Sequence, residues 1–169
     1  ASAAAAPAVR RSGSRPTVIA SGNGFESRDA DGLTCVELAF RQMTAGTDVL
    51  DALIAGVNIV ENDPEDTSVG YGGLPDADGV VTLDACCMHG PQRRAGGVGA
   101  LQGVRHPSRV ARDVAFATDH HLLVGEGAQR FARNFGHPIE DDLNTDRSRA
   151  LWLEWKRRTD PAHYPDPQA

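Results

Sequence analysis

Apolar residues recur every three or four positions in two consecutive stretches, which predicts a pair of amphipathic helices. The first apolar face contains Leu33, Val36, Phe40 and Met43, and Gly46 follows as a C-terminal stop. The second helix is predicted to start at a Thr47 cap and to end before Pro64. Its apolar face is formed by Leu50, Leu53, Val57 and Val60.

Three other stretches predict β-strands. Residues 16–21 form a β-branched apolar run that stops at Gly22. Residues 80–88, VVTLDACCM, follow a hairpin-like ADG turn signal. Residues 95–104 are rich in glycine but alternate enough apolar side chains for a third strand with close backbone approach.

The remainder of the chain is predicted to be largely helical, over residues 108–117, 125–135 and 147–158. Strands and helices are therefore segregated, with three or four strands and five helices, which favours an α+β domain. So small a sheet looks incomplete. We therefore expect something else to supply the missing strands.

Length and composition fit one globular domain. The chain has 169 residues, of which 40% are hydrophobic and 24% are charged. No apolar run approaches the roughly 18 residues that a membrane span requires, and a net charge of −6 argues against nucleic-acid binding. The alanine-rich start suggests an exported or periplasmic chain, with a flexible arm in a cytoplasmic protein as the alternative.

The cysteines predict neither a metal site nor a disulfide framework. Cys35, Cys86 and Cys87 lack metal-ligand spacing, and their number is odd. We expect mainly buried thiols, with Cys86 and Cys87 on opposite faces of a strand.

The segment SVGYGG, residues 68–73, combines three glycines with a serine. A phosphate-binding loop would need a lysine and a following helix, and both are missing. Glycine lets the backbone approach a ligand or a neighbouring segment closely. A tight turn between packed strands is the alternative.

Other polar groups predict surface roles. His120 and His121 are adjacent, and adjacent histidines rarely bind one metal ion together. An acidic cluster lacks the alternating pattern of a calcium loop, so we interpret it as a solvated helix end, with a monovalent ion held by carbonyl oxygens as the alternative. The cluster comprises Glu61, Asp63, Glu65 and Asp66.

No self-contained catalytic centre is predicted. The chain has no G-x-S-x-G elbow, and no histidine stands beside a cysteine in an activating arrangement. We find no cofactor motif either, and we expect no cofactor and no metal.

The order and spacing of the motifs resemble the α chain of the glycosylasparaginase (aspartylglucosaminidase) family. The resemblance covers about residues 16 to 156 and rests on five segments in the family's order. They are VIASGN, AGTDVLDALIAGVNIVENDP, TSVGYGGLPDADGVVTLDACCMHG, GGVGALQGVRHPSRVARDV and HHLLVGEGAQRFARNFG.

This resemblance implies an N-terminal-nucleophile hydrolase with a four-layer αββα sandwich that a second chain completes. Family members cut their own precursor, and the new N-terminal threonine of the β chain is the nucleophile, with its α-amino group as base. The resemblance therefore implies no catalytic residue in this chain, a β-chain partner and an (αβ)2 assembly. It also implies a domain over 16–158 and a linker tail over 159–169, whereas the flexible arm that we expect over 1–15 rests on the alanine-rich composition of the start.

The resemblance also implies site residues. Ser68 matches a serine close to the nucleophile, and Gly70 and Gly72 let that loop pass beside the threonine. Asn23 matches a substrate-binding position, whereas Gly22 stands where studied members carry a tryptophan beside the substrate. Without that aromatic side chain, the site lacks a surface on which a sugar ring could stack, which argues against sugar recognition but not against amide hydrolysis.

The implied activity is hydrolysis of the amide bond between N-acetylglucosamine and asparagine. Isoaspartyl peptidase or L-asparaginase activity is the alternative within the same class of enzymes. A non-catalytic binding or scaffold module is the alternative of another class.

Overall fold

The computed structural model describes residues 15–165, a mixed α/β fold with six helices and three strands in that range. The expectations for residues 1–14 and 166–169 lie outside it. In chain order the elements are α1 (Asn23–Glu26), α2 (Cys35–Thr44), α3 (Val49–Glu61), β1 (Thr82–His89), β2 (Arg94–Gln102), α4 (Pro107–Ala117), β3 (Leu123–Val124), α5 (Gly125–Asn134) and α6 (Asp146–Thr159).

The predicted helix pair is confirmed, with a correction at one cap and at two positions of the apolar faces, since Phe40 and Val57 are exposed in the described structure. Helix α2 starts in a capping box, in which Thr34 and Glu37 exchange hydrogen bonds between side chain and backbone. Helix α3 is capped by Asp48, whose Oδ1 accepts a hydrogen bond from Leu50 N at 2.9 Å. The prediction of Thr47 as this cap is wrong by one residue. A carboxylate in this position also complements the positive end of the helix dipole.

Helices α2 and α3 pack closely because a glycine lies at their contact. A Cβ atom on Gly56 would lie 2.5 Å from the carbonyl oxygen of Cys35 and 3.3 Å from the Ala39 Cβ. Only a residue without a side chain fits there.

The three strands form one small sheet in the order β1-β2-β3. Strands β1 and β2 are antiparallel, and β2 and β3 are parallel. A bulge interrupts the pairing of β1 with β2 at Asp84, where Gly99 and Ala100 of β2 lie opposite this one residue of β1. At this bulge the Asp84 carboxylate accepts a hydrogen bond from the backbone N of Ala100 at 2.8 Å, and Ala100 is left-handed with φ 49°. The side chain thus replaces a backbone ladder bond.

One face of the sheet is covered by α4 and α5. At Gly96 a Cβ atom would lie 2.3 Å from the carbonyl oxygen of Ala111, so α4 lies directly on the strand backbone. The buried core between these layers consists of Val98, Leu101, Val104, Val110, Ala111, Val114, Ala128 and Ala132.

The opposite face of the sheet has no covering layer among residues 15–165. Met88 is 75% exposed there, and Leu122 and Val124 are also exposed. Cys86 is exposed as well, so the expectation of mainly buried thiols is wrong for this residue. Cys87 points towards the α4 side, as the alternation of a strand requires.

The strand predicted over residues 16–21 is wrong for this structure. These residues have no regular secondary structure, and Ile19 is 88% exposed. A strand needs a hydrogen-bonded neighbour, and no strand of the described residues pairs with this segment. The ADG signal does form a turn, closed by Asp76, but it does not join paired strands.

The SVGYGG segment packs against the C-terminal end of α3. Gly70 is left-handed, with φ 60°, and a Cβ atom there would lie 2.2 Å from the Glu61 carbonyl oxygen. The same oxygen accepts the N–H of Tyr71 at 2.9 Å. Glu61 itself is only 2% exposed, so the interpretation of the acidic cluster as a solvated helix end is wrong at this residue.

Helix α4 begins at a half-buried histidine. His106 Nε2 lies 2.9 Å from Asn62 Oδ1. Burial lowers the pKa of His106 to about 4, with the nearby Arg109 and Arg105 charges as lesser causes. His106 is therefore neutral in the folded protein near neutral pH.

The described part of the C-terminal tail packs against the last helix, α6. Tyr164 packs edge-on against Trp152, with ring centroids 5.7 Å apart. Among residues 15–165, no helix is long and apolar enough to cross a membrane.

We predict that Gly70→Ala lowers the free energy of unfolding of the intact protein by more than about 3 kcal/mol, because it adds a backbone clash to an unfavourable φ. Gly46→Ala is the matched control, since Gly46 has φ 98° but no atom lies within 4 Å of the point that an added methyl group would occupy. The control should lose only about 1–2 kcal/mol. Equal losses in urea denaturation would contradict the clash.

We predict that His106 makes stability fall as the pH drops from about 6.5 to about 4. In that window the unfolded chain binds a proton that the folded chain excludes, so unfolding is favoured. His106→Gln keeps a donor for Asn62 but does not titrate. The stability advantage of the wild type over this variant should shrink with falling pH, and a constant difference in urea denaturation would contradict the prediction. Glu61, whose pKa burial raises, is present in both proteins and cancels.

Candidate functional site

A cleft of about 600 Å³ lies between α3, strand β1 and the SVGYGG loop. Strand β1 is an edge strand of the described sheet, so its backbone borders this cleft without a neighbour on that side. The floor includes Glu61 and Ser108, and the loop contributes Ser68 and Gly70. The cleft thus joins an open sheet edge to the glycine-rich segment.

Two of the residues expected at the site are hydrogen-bonded to each other. Asn23 Nδ2 donates to Ser68 Oγ at 3.1 Å, across 45 positions of sequence. Ser21 Oγ donates to Asn23 Oδ1 at 2.6 Å, which fixes the orientation of the amide. The structure therefore brings the loop that follows residues 16–21 into direct contact with the SVGYGG segment.

The Ser68 hydroxyl has a defined direction. It donates to Asp66 Oδ1 at 2.5 Å, and the Ser68 backbone N donates to the same oxygen at 2.7 Å. With its proton committed to Asp66 and one lone pair used by Asn23, the Ser68 oxygen keeps one lone pair for a further donor. Ser68 is thus an oriented acceptor, with a carboxylate behind it.

The two glycines expected at the site let the SVGYGG loop pack closely against its neighbours. Gly70 fits against the Glu61 backbone, as described above. Gly72 has φ 90°, and a Cβ atom there would lie 3.0 Å from the Pro64 carbonyl oxygen and 3.2 Å from Thr145 Cγ2. Both residues therefore set the position of Ser68 and contribute no polar side chain of their own.

Gly22 stands next to this hydrogen-bonded group in open space. It caps α1 with ordinary helical dihedrals, φ −53° and ψ −44°. A Cβ atom on Gly22 would meet only Glu26 Oε1, at 4.0 Å. The backbone and its surroundings therefore accept a larger side chain at this position.

Sequence reasoning missed one further contributor, Asp66, and a contact outside the cleft lining, between Arg105 and Tyr71 of the loop. Asp66 is two residues before Ser68, a spacing typical of an Asx-turn, and this signal could have identified it. The Arg105 guanidinium lies 4.1 Å from the Tyr71 ring centroid. It also pairs with both oxygens of Glu140, at 3.0 and 2.7 Å, and this pairing holds the Glu140 pKa below its usual range. No local pattern in the sequence joins these groups.

The described part of the cleft contains no activated nucleophile. Cys86 and Cys87 line it, but neither thiol has a hydrogen-bonded histidine or carboxylate. Burial raises the pKa of Cys87, which disfavours the thiolate. Within residues 15–165 no group of side chains is arranged to hold a metal ion, and His120 and His121 are exposed.

Comparison with known proteins identifies relatives over most of the chain. A family model described as asparaginase matches residues 16–167. N(4)-(beta-N-acetylglucosaminyl)-L-asparaginase of Elizabethkingia miricola is 44% identical over 117 residues, which cover 69% of this chain and 34% of that protein. The mouse protein of the same name is 37% identical over 166 residues, covering 95% of this chain and 45% of the relative.

A third relative carries a different activity in its name. Probable isoaspartyl peptidase/L-asparaginase 3 of Arabidopsis thaliana is 35% identical over 124 residues, covering 73% of this chain and 34% of that protein. The chain thus spans from a third to under half of the length of these relatives. With the family model matched over nearly all of its residues, the chain belongs to the asparaginase family.

Proposed function

We propose that this chain forms the α-subunit part of an autoprocessed N-terminal-nucleophile amidohydrolase that cleaves the amide bond between N-acetylglucosamine and asparagine. One observation carries the proposal: an oriented Ser68 acceptor lies in a cleft whose described residues supply no nucleophile of their own. The names of two similar relatives, from Elizabethkingia miricola and mouse, support this substrate.

The missing nucleophile belongs to a β chain that begins with threonine. This β chain adds to the open edge of β1 and covers the exposed sheet face at Met88, which completes a four-layer sandwich. Unpaired edges and uncovered apolar sheet faces are unfavourable in water, so their coexistence beside one cleft supports a second chain. We extend the proposal to an (αβ)2 assembly in an exported or periplasmic setting, with the cytoplasm as the alternative location.

The chemistry is acyl transfer in two steps. The threonine oxygen attacks the side-chain amide carbon while the threonine α-amino group takes the hydroxyl proton. The C–N bond then breaks, the amine leaves with a proton, and an ester joins the aspartyl group to threonine. Water hydrolyses this ester and releases aspartate. In this chain the Ser68 oxygen accepts a hydrogen bond from the α-amino group of the threonine and orients it, because the Ser68 proton is held by Asp66.

Substrate choice depends on the space at Gly22. Without an aromatic side chain there, the site lacks one wall that would contact a sugar ring. This observation favours a second candidate, isoaspartyl peptidase or L-asparaginase activity, for which the Arabidopsis relative is named. A purely non-catalytic scaffold has no comparable support, because it gives no reason for the hydrogen bonds that orient Ser68.

The full-length protein should release aspartate from glycoasparagine faster than from an isoaspartyl dipeptide or from free asparagine. Edman sequencing and mass spectrometry of the purified protein should find a second chain that begins with threonine. Faster turnover of the isoaspartyl dipeptide or asparagine would favour the second candidate. A single uncleaved chain without amidase activity would leave only the scaffold.

Gly22→Trp is a companion variant that probes the sugar side of the site. It should lower KM for glycoasparagine and leave KM for free asparagine unchanged, because only the first substrate carries a ring to stack. A matched Gly127→Trp variant, at an exposed position of α5 with open space, should change neither constant. Equal changes for both substrates would contradict a sugar-facing position.

Ser68→Ala should lower kcat or the rate of self-cleavage by about tenfold to a hundredfold, the equivalent of losing one orienting hydrogen bond of about 1.4–2.8 kcal/mol. Thr44→Ala removes an exposed hydroxyl at the end of α2 and should change neither rate. Steady-state kinetics and electrophoresis of the precursor provide the two measurements. Unchanged rates for Ser68→Ala would reject its role.

A further inference from the structure

A buried carboxylate lies beneath the SVGYGG loop and is not used by the proposed chemistry. Glu61 Oε2 accepts hydrogen bonds from Asn58 Nδ2 at 2.5 Å and from Ser108 Oγ at 2.9 Å. Its Oε1 accepts the backbone N–H of Ser108 at 3.1 Å. Arg109 Nε reaches this group indirectly, through a hydrogen bond to Asn58 Oδ1 at 2.5 Å.

Burying a carboxylate has a free-energy cost, which here is only partly offset. Burial raises the pKa of Glu61, whereas the hydrogen bonds from Ser108 and Asn58 and the charge of Arg109 lower it. The two hydrogen bonds from Ser108 tie the C-terminal turn of α3 to the first turn of α4, and the bond from Asn58 lies within α3. They hold the Glu61 side chain, and with it the Glu61 main chain, in one position.

The SVGYGG loop packs directly against that main chain. The Glu61 carbonyl oxygen binds the N–H of Tyr71 and leaves room only for a glycine at position 70. Ser68 is two residues before Gly70, so any shift of the Glu61 carbonyl moves the Ser68 hydroxyl relative to Asn23 and the cleft. An orienting hydrogen bond loses strength steeply with such displacement.

We propose that Glu61 is a positioning residue for Ser68, acting through the Asn58–Glu61–Ser108 network, and this role rests on the proposed function. Every partner donates a hydrogen bond to Glu61. A glutamine at this position would place its amide group against either Asn58 Nδ2 or Ser108 N, donor against donor. Glu61→Gln therefore disturbs the network while it keeps the size of the side chain.

The direction of the hydrogen bonds can be reversed by a second substitution. In Glu61→Gln with Asn58→Asp, the new amide donates to the new carboxylate, which also accepts from Arg109 Nε as Asn58 does. Ser108 Oγ can then accept from the amide and donate to the carboxylate. The net charge of the group is unchanged, and every polar atom has a partner again.

The test compares kcat and KM for aspartate release by the full-length protein in the wild type, both single variants and the double variant. We expect each single variant to lower kcat at least about tenfold with little change in KM, and the double variant to return to within about threefold of the wild type. Wild-type kcat in either single variant, or a double variant as slow as the singles, would overturn the proposal.

Two further proteins separate positioning from general stability. Asp48→Ala removes the side-chain cap at the other end of α3, so it should lower the melting temperature without lowering kcat at a temperature well below unfolding. In a Ser68→Ala background, Glu61→Gln should have almost no further effect on kcat, because its action passes through Ser68. Additive losses, or a loss of kcat in Asp48→Ala, would indicate a merely structural role.

The outcomes also distinguish the two proposals. If the wild-type protein releases no aspartate from any of the three substrates, the proposed function fails. If the wild type is active and Glu61→Gln has the same kcat, the function stands and the positioning role fails.

Discussion

The geometry of this molecule depends on one contact, in which Gly70, with left-handed backbone dihedrals, packs against the Glu61 carbonyl oxygen. Gly70 approaches the Glu61 backbone so closely that a single added methyl group would overlap it. This contact joins the end of α3 to the loop that carries Ser68, and it places that hydroxyl within reach of Asn23. Glu61 also positions α4, because the first turn of that helix binds the Glu61 side chain.

Close backbone approach recurs in the other layers of the fold. Gly56 brings α2 onto α3, and Gly96 brings α4 onto the sheet. In each case the missing side chain sets the distance between two elements, and the apolar core fills the volume that remains. Polar interactions then fix orientation, as Asp84 does at the bulge and as Arg105 does above Tyr71.

Sequence periodicity predicted the helices well, because each helix satisfies its own backbone and shows its core face at regular spacing. The helix pair at α2 and α3 and the strands at β1 and β2 lie within a few residues of their expected bounds. The strand over 16–21 was wrong because a strand depends on a neighbour that the local pattern does not contain. The buried state of Glu61 was missed for a related reason, since its partner Ser108 belongs to another helix, 47 positions along the chain.

Some residues of the site were predicted from the sequence and others were not. Ser68, Asn23 and the glycines of the loop were expected from the resemblance, and the structure adds the hydrogen bond that joins the first two. Asp66 had a local signal in its spacing from Ser68. The contact of Arg105 with Tyr71 had none, because it depends on how the loop crosses the start of α4.

On the sheet face that no described residue covers, the side chains of Leu122 and Val124 lie against Gly97 and Gly99, whose missing side chains leave room for them. Sheets that pack face to face usually lie about 10 Å apart, so a layer placed on this face has to offer gaps for the projecting side chains. The two sides must then be matched in volume, large against small.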